Sequence, residues 1–314
     1  MVRLVEMNAK MIMKLCCLAL SLIVCQHVSG ADKVNYRVLN SWERGSYTLH
    51  QECTNTLVTI IDNKEVERDE SRLLFTWKIE AMDESNDGRQ TLVLRMLRIM
   101  MRLRCDGKEL FYFDSSNGKD RSDLLNVVFS NMKNSTINVD MKNGIPEKVT
   151  GCERFWKDIP DPQNDEELFL FSSIKNLATN ENIKDTFNTL VCLDASEEVG
   201  VGDDWKTHTT LPIPIIGDKS FEWDCSLKSV TESNGVDVAQ VHGKGKLDFE
   251  IEEQRLKGHV NMEADAEYDT KHGFAPSIHS KVIVSVNKKV DSDGKTHLET
   301  YSGLTKNNLT VVKH

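Results

Sequence analysis

The sequence lacks an excess of basic residues, since 39 Lys and Arg stand against 49 Asp and Glu for a formal net charge of −10. Nucleic-acid binding needs clustered positive charge to replace the counterions of the phosphates. The composition therefore argues against a nucleic-acid partner. With 39% apolar residues in 314, the chain can still build a substantial core.

Common catalytic and metal-binding motifs are also missing. The chain has no G-x-S-x-G nucleophile turn, no H-E-x-x-H zinc motif and no C-x-x-C pair. The glycines of VGVGDDWKTHTTLPIPIIG (199–217) precede two acids and no Lys-Ser/Thr pair, which excludes a phosphate loop. This segment favours a turn and an edge strand or linker, because proline cannot donate a ladder hydrogen bond. No catalytic residue, metal or cofactor is predicted.

Cysteines are few and scattered beyond residue 30. Their odd number and wide spacing do not indicate a disulfide framework. One or two bridges are compatible with the set, and the pairing is left open. The five residues are Cys53, Cys105, Cys152, Cys192 and Cys225.

One long apolar run is present, LCCLALSLIVC (15–25), and it is too short for a stable membrane-spanning helix. Basic residues precede it and small residues follow it, an order that is typical of a cleaved signal peptide. We predict that residues 1–30 are a signal peptide and that the protein is extracytoplasmic: secreted, periplasmic or tethered to the envelope. Because LIVC resembles a lipobox, a lipid anchor on Cys25 is left open as a membrane attachment.

Alternation of apolar and polar residues is what the chain has in abundance. It runs through SRLLFTWKIEAM (71–82), FEWDCSLKS (221–229) and HVNMEADAEYD (259–269). Asp-Gly and Asn-Gly turns such as CDGK (105–108) and KNG (142–144) separate the alternating segments. We predict a mainly β fold of the α+β class, with one or two curved antiparallel sheets.

Helical periodicity is confined to the middle of the chain. Three segments there, 121–132, 160–177 and 180–191, each present one apolar face. We predict two or three helices that cover the sheet. The segment TLVLRMLRIMMRLR (91–104) is ambiguous, because its arginines fit a basic membrane-surface helix while its flanking turns favour a strand that is apolar on both faces. We favour the strand.

These patterns divide the chain behind the signal peptide. We predict a β-rich N-terminal half at 31–197 with a helical insert at about 120–192, and an antiparallel C-terminal half at 198–314. The oligomeric state is left open. Asn134 and Asn308 lie in glycosylation motifs that matter only in a eukaryotic source.

Several segments resemble a bacterial family. They are GDDWK (202–206) followed by LPIP (211–214), the hairpin DNKEVERDESRLLFTWKIEAMDESNDG (62–88), and FDSSN (113–117). The family consists of exported β-rich proteins and candidate lipoproteins, and it is known as a domain of unknown function with a Gly-Asp-x-Trp signature. The resemblance implies export and a β-rich fold, and it implies no catalytic residue.

Large apolar side chains gather on single faces of two predicted strands. With amphipathic helices to cover them, they predict an apolar cavity for an apolar small molecule or lipid, whereas the same residues would also suit a close-packed core. The sequence thus favours an exported, non-enzymatic binding protein. The alternatives are a structural or envelope-associated interaction protein and, less favoured, a hydrolase or metal-dependent enzyme. The candidate ligand-binding residues are Phe75, Trp77, Ile79, Phe221, Trp223 and Leu227.

Overall fold

The computed structural model describes most of the chain between Trp42 and His314. The continuous stretches are 42–116, 123–163, 197–213, 217–233, 235–252, 255–272, 274–292 and 295–314, with isolated residues at 36 and 38 and between 168 and 195. The predicted signal peptide, Cys25 and Cys192 lie outside the described residues, so these predictions stay predictions.

Within the described stretches, twelve strands form one open, curved antiparallel sheet, which confirms the mainly β fold and favours one sheet over two. The order across the sheet is β6-β5-β3-β2-β1-β12-β11-β10-β9-β8-β7, and β4 pairs with β3 beside this path. The strands are β1 (Gly45–Ile61), β2 (Lys64–Ala81), β3 (Arg89–Cys105), β4 (Lys108–Asp114), β5 (Thr136–Lys142), β6 (Ile145–Thr150), β7 (Asp204–Ile213), β8 (Gly217–Ser233), β9 (Val236–Ile251), β10 (Leu256–Asp269), β11 (Phe274–Ser292) and β12 (Lys295–Lys313).

Tight turns join neighbouring strands where the sequence predicts them. Between β3 and β4 the turn residues Asp106 and Gly107 have φ of 48° and 75°, and between β5 and β6 Asn143 and Gly144 have 50° and 79°. Two positive φ values in a two-residue loop match the right-handed twist of the strands. Asp-Gly and Asn-Gly supply them at low cost, which is why these dipeptides mark the hairpins.

One α-helix is described with its bounds, α1 (Asp123–Asn134). It buries Val128, Phe129 and Met132 against β3, and the Phe129 ring stacks on Phe113 at 4.0 Å between centroids. The prediction of two or three covering helices is therefore not met in the described part. Segments 160–177 and 180–191 fall largely outside it, although Phe171 and Phe187 are helical. A short 3₁₀ helix at Cys152–Trp156 packs beside α1.

The segment that could have been a basic amphipathic helix is strand β3. It is not apolar on both faces, because its arginines lie on the outer side. A β-bulge contributes to this arrangement: Thr76 pairs with Arg98 and Trp77 pairs with Met96, so Leu97 is an extra residue without a partner on β2. Without this bulge the alternation would send Arg98 to the apolar side. The bulge keeps Arg98 on the outer side, where its Nε donates to Asp114 at 3.1 Å.

Alternation sorts the side chains of the sheet onto two faces. We call inner face the one that carries the core, and outer face the other. In β10 the inner residues Met262, Ala264 and Ala266 are buried, and the outer residues Glu263 and Asp265 are exposed. Buried apolar side chains of all twelve of these strands, together with α1, form one continuous apolar cluster.

Candidate ligand-binding face

The six predicted ligand-binding residues all lie on the inner face. Phe75, Trp77 and Ile79 belong to β2 and the other three to β8, and five strands lie between these two. All are buried except Phe75, which is half-buried and stacks on Trp77 at 6.1 Å between ring centroids. Both groups belong to the same apolar cluster. Their role in holding a ligand stays a prediction.

Between the two groups the inner face carries a line of short side chains in register. Six adjacent strands each contribute one at the same level, and large residues close both ends: Leu73 opposite Cys53 and Trp205 opposite Cys225. Short side chains fill less volume above the sheet than the larger side chains on either side of them. We call these six residues the small-residue row: Cys53, Asn307, Ser280, Ala264, Gly243 and Cys225.

Most of the row is buried, with Asn307 2% and Ala264 1% exposed, and at Gly243 the covering side chain is that of Leu193. A Cβ added to Gly243 would stand 2.5 Å from Cδ2 of Leu193, so this glycine makes room for the Leu193 side chain. The next residue, Asp194, is buried and accepts a hydrogen bond of 2.8 Å from the Tyr268 hydroxyl. Residues 193–195 therefore lie against the inner face over β9 and β10.

The row also shows why no disulfide joins Cys53 to Cys225. Four strands lie between β1 and β8, and each strand spacing is about 4.8 Å. A disulfide requires Cα atoms within about 7 Å.

A third thiol, Cys152, is buried elsewhere in the core, and burial raises its pKa to about 12. Its thiol stays protonated at neutral pH, which makes it a poor nucleophile.

Polar side chains are buried near the centre of the inner face. Gln51 and Asn55 of β1 are 7% and 5% exposed, and Asn307 of β12 is 2% exposed. Asn55 donates from Nδ2 to Ser71 Oγ at 3.1 Å. Within the described part of the chain, neither Nδ2 nor Oδ1 of Asn307 has a hydrogen-bond partner. The sequence predictions missed these residues, although Asn307 occupies the inner phase of a strand that alternates from Tyr301 onward.

Three potential metal ligands lie close together near the start of β2 and the end of β3. Glu67, Asp69 and Cys105 offer ligand atoms that all lie within 4.8 Å of one another, and all three residues are half-buried. Cys105 Sγ is 3.9 Å from a Glu67 carboxylate oxygen. These are the described residues that could hold a cation, and the sequence predictions did not single them out.

A shallow groove of about 500 Å³ lies on the outer side near the β7 edge, lined by β7–β9. Its charges are matched across strands. Lys206 pairs with Glu222 and lies 3.3 Å from Asp224, while His242 Nδ1 is 2.7 Å from Asp265. Matched charges of this kind solubilise an outer face and do not by themselves define a ligand.

Comparison with known protein families shows which family the chain belongs to. The sequence profile of a family of unknown function (DUF6263) matches residues 87–275, and the chain belongs to that family. The predicted resemblance to a β-rich domain of unknown function is therefore confirmed. No curated protein matches the chain. Among the described residues, no helix is long and apolar enough to cross a membrane.

Solved structures resemble the chain only distantly. Lipovitellin, in a structure concerned with lipid–protein interactions, shares 8% identity at a TM-score of 0.44 over 87% of this chain and 25% of its own. The chain thus spans a quarter of lipovitellin. OccK5 (OpdH) of Pseudomonas aeruginosa shares 6% identity at 0.26, over 85% and 98%. An outer membrane channel of Pseudomonas putida F1 shares 8% at 0.20, over 90% and 100%.

Proposed function

We propose that this chain is an exported, non-enzymatic protein that holds an apolar small molecule or lipid on the inner face of its sheet. The observation that carries the proposal is the small-residue row, which runs from β1 to β8 and contains Asn307, whose amide has no hydrogen-bond partner among the residues that the structure describes. An apolar ligand laid along the row would gain about 25 cal/mol per Å² of apolar area removed from water.

The polar groups along the row favour binding over catalysis. They are amides, hydroxyls and thiols, which orient a ligand by hydrogen bonding and carry no charge at neutral pH. Tyr47, farther along the inner face, has its pKa raised to about 12 by burial, so its phenol also stays protonated. Polar groups of this kind in an apolar site are typical of small-molecule binding.

Titration of the purified chain with the uncharged fluorescent probe N-phenyl-1-naphthylamine tests this proposal. We expect saturable uptake, and we expect organic extraction followed by mass spectrometry to recover an apolar molecule. Ala264→Leu, which fills the row, should weaken uptake at least about tenfold, equivalent to about 1.4 kcal/mol. Asp265→Leu is the matched control, because Asp265 is the next residue of β10 and lies exposed on the outer face.

Circular dichroism of both variants shows whether each keeps the sheet. Uptake that survives Ala264→Leu in a folded chain would place the probe elsewhere and contradict the proposal. An empty extract with no probe uptake would leave the inner face as a packed core. Large assemblies by sedimentation, together with no uptake, would favour the structural or envelope-associated role instead.

Export is tested separately. Sequencing of the protein recovered from its native host should start after Gly30, or should show a lipid on Cys25 if the lipobox is used. An intact Met1 on cytosolic protein would contradict export without affecting the binding proposal.

A further inference from the structure

Asn307 is an unusual residue for the middle of a large sheet. It lies on β12, which is flanked by β1 and β11, and its side chain is 2% exposed. Its cross-strand neighbours are Cys53 and Ser280. Within the described part of the chain, Nδ2 and Oδ1 of Asn307 both lack a hydrogen-bond partner. Buried amides are almost always satisfied, because an unmet donor or acceptor loses its bonds to water without replacement.

The surroundings of Asn307 are uncharged. None of the six members of the small-residue row is ionised at neutral pH, and the next inner residues on β12, Thr305 and Leu309, are neutral as well. The charged neighbour in the chain, Lys306, is exposed on the outer face. A charged ligand group at this depth would have no counter-ion on the row, and burial of an unpaired charge is strongly unfavourable.

From these observations we propose that Asn307 recognises the polar end of an uncharged amphiphile whose apolar chain lies along the part of the small-residue row that Leu193 does not cover. This inference rests on the function proposed above and names its ligand class. Nδ2 donates to an oxygen of the ligand, and Oδ1 accepts from an N–H or O–H of the same polar end. A primary amide meets both requirements at once, and an alcohol meets either in turn.

The ligand class follows from this pairing. A hydrocarbon offers neither a donor nor an acceptor and leaves Asn307 unsatisfied. A carboxylate offers acceptors only, and it brings a charge. Fatty amides and fatty alcohols therefore suit the site better than hydrocarbons or fatty-acid anions of the same length.

Competition against N-phenyl-1-naphthylamine with four probes of equal chain length tests the inference: lauramide, lauryl alcohol, laurate and dodecane. We expect lauramide to bind the unmodified chain at least about tenfold more tightly than dodecane, with laurate weaker than lauramide. Asn307→Leu should remove the advantage of lauramide and leave the affinity for dodecane within about twofold, because it keeps the branched arrangement of four side-chain heavy atoms and removes the amide.

Asn308→Leu is the matched control. Asn308 is the adjacent residue of β12, is exposed on the outer face and bonds to His279 Nδ1 at 2.9 Å. It should keep the full preference for lauramide. Thermal unfolding provides a second measurement, since Asn307→Leu should not lower the unfolding temperature if its amide lacks a protein partner.

Two failures are distinguishable. If lauramide and dodecane bind the unmodified chain equally, the amide is satisfied by trapped water and this inference falls while the proposed function stands. If neither probe binds, the proposed function fails and the inference with it. A preference for lauramide that persists in Asn307→Leu would also overturn the inference.

Discussion

The inner and outer faces of the sheet are built from the same strands, one residue apart, yet they depend on different forces. Trp223 is fully buried on the inner face, while the side chain of Asp224 beside it is 74% exposed on the outer face. The inner face depends on area removed from water and on close packing, whereas the outer face depends on solvated ion pairs of small individual value. Position on the strand thus decides what a substitution costs.

The largest effect is expected for a large, fully buried side chain of the inner face. Trp223→Ala removes a large buried side chain and should lower the free energy of unfolding by about 3–5 kcal/mol. Asp224→Ala is the outer-face control and should change it by less than about 0.5 kcal/mol. Urea unfolding of both variants measures the difference. Similar losses in the two variants would contradict the division between the faces.

A smaller effect is expected at Gly243, where the Leu193 side chain covers the row. Gly243→Val places new atoms against Leu193 and the Trp223 ring, and overpacking of this kind should cost about 1–3 kcal/mol. Lys244→Val, one residue along on the exposed face, is the control and should be nearly neutral. If Gly243→Val is as stable as the unmodified chain, the Leu193 side chain does not pack closely against Gly243.

The smallest effect is expected at Asp114, a charged residue that is buried although it lies on the outer side. Asp114 is buried there, and its hydrogen bonds from Arg98 lower its pKa from 3.8 to about 2. Arg98 itself is 44% exposed, so solvent screens part of the interaction. Asp114→Asn should cost about 1–2 kcal/mol at neutral pH.

The pH dependence of this effect has a defined sign. Because the pKa is lower in the folded chain, the stabilisation by Asp114 is fully present above about pH 4 and is lost as pH falls towards 2. Unfolding measured in urea across this range should show the difference between the two proteins shrinking on acidification. A difference that stays constant would mean that Asp114 acts through packing and not through its charge.

Local patterns predicted much of the fold. Alternation identified the inner residues of β2, β8 and β10 correctly, since burial of one face imposes a period of two. Turn dipeptides placed the hairpins, and an apolar helical face located α1. Pattern alone did not reveal the β3 bulge, because a single extra residue changes the facing of Arg98 without changing the composition.

The candidate site was only partly predictable. The six large apolar residues were assigned to the correct face, but the small-residue row depends on the register of six strands, which no local pattern contains. Asn307 illustrates the limit. Its alternation phase points inward, yet its depth depends on pairing with β1 and β11, whose residues lie far from it in the sequence or across a hairpin.

The pairing of β1 with β12 also bears on how the chain is made. Tyr47 pairs with Lys313, so the central ladder joins two strands, β1 and β12, that lie far apart in the sequence. Contacts with such long sequence separation slow folding, because a long loop must close before they form. Until β12 arrives, both β1 and β11 expose unpaired edges that invite wrong partners. A chain of this topology would benefit from being kept unfolded until β12 is available.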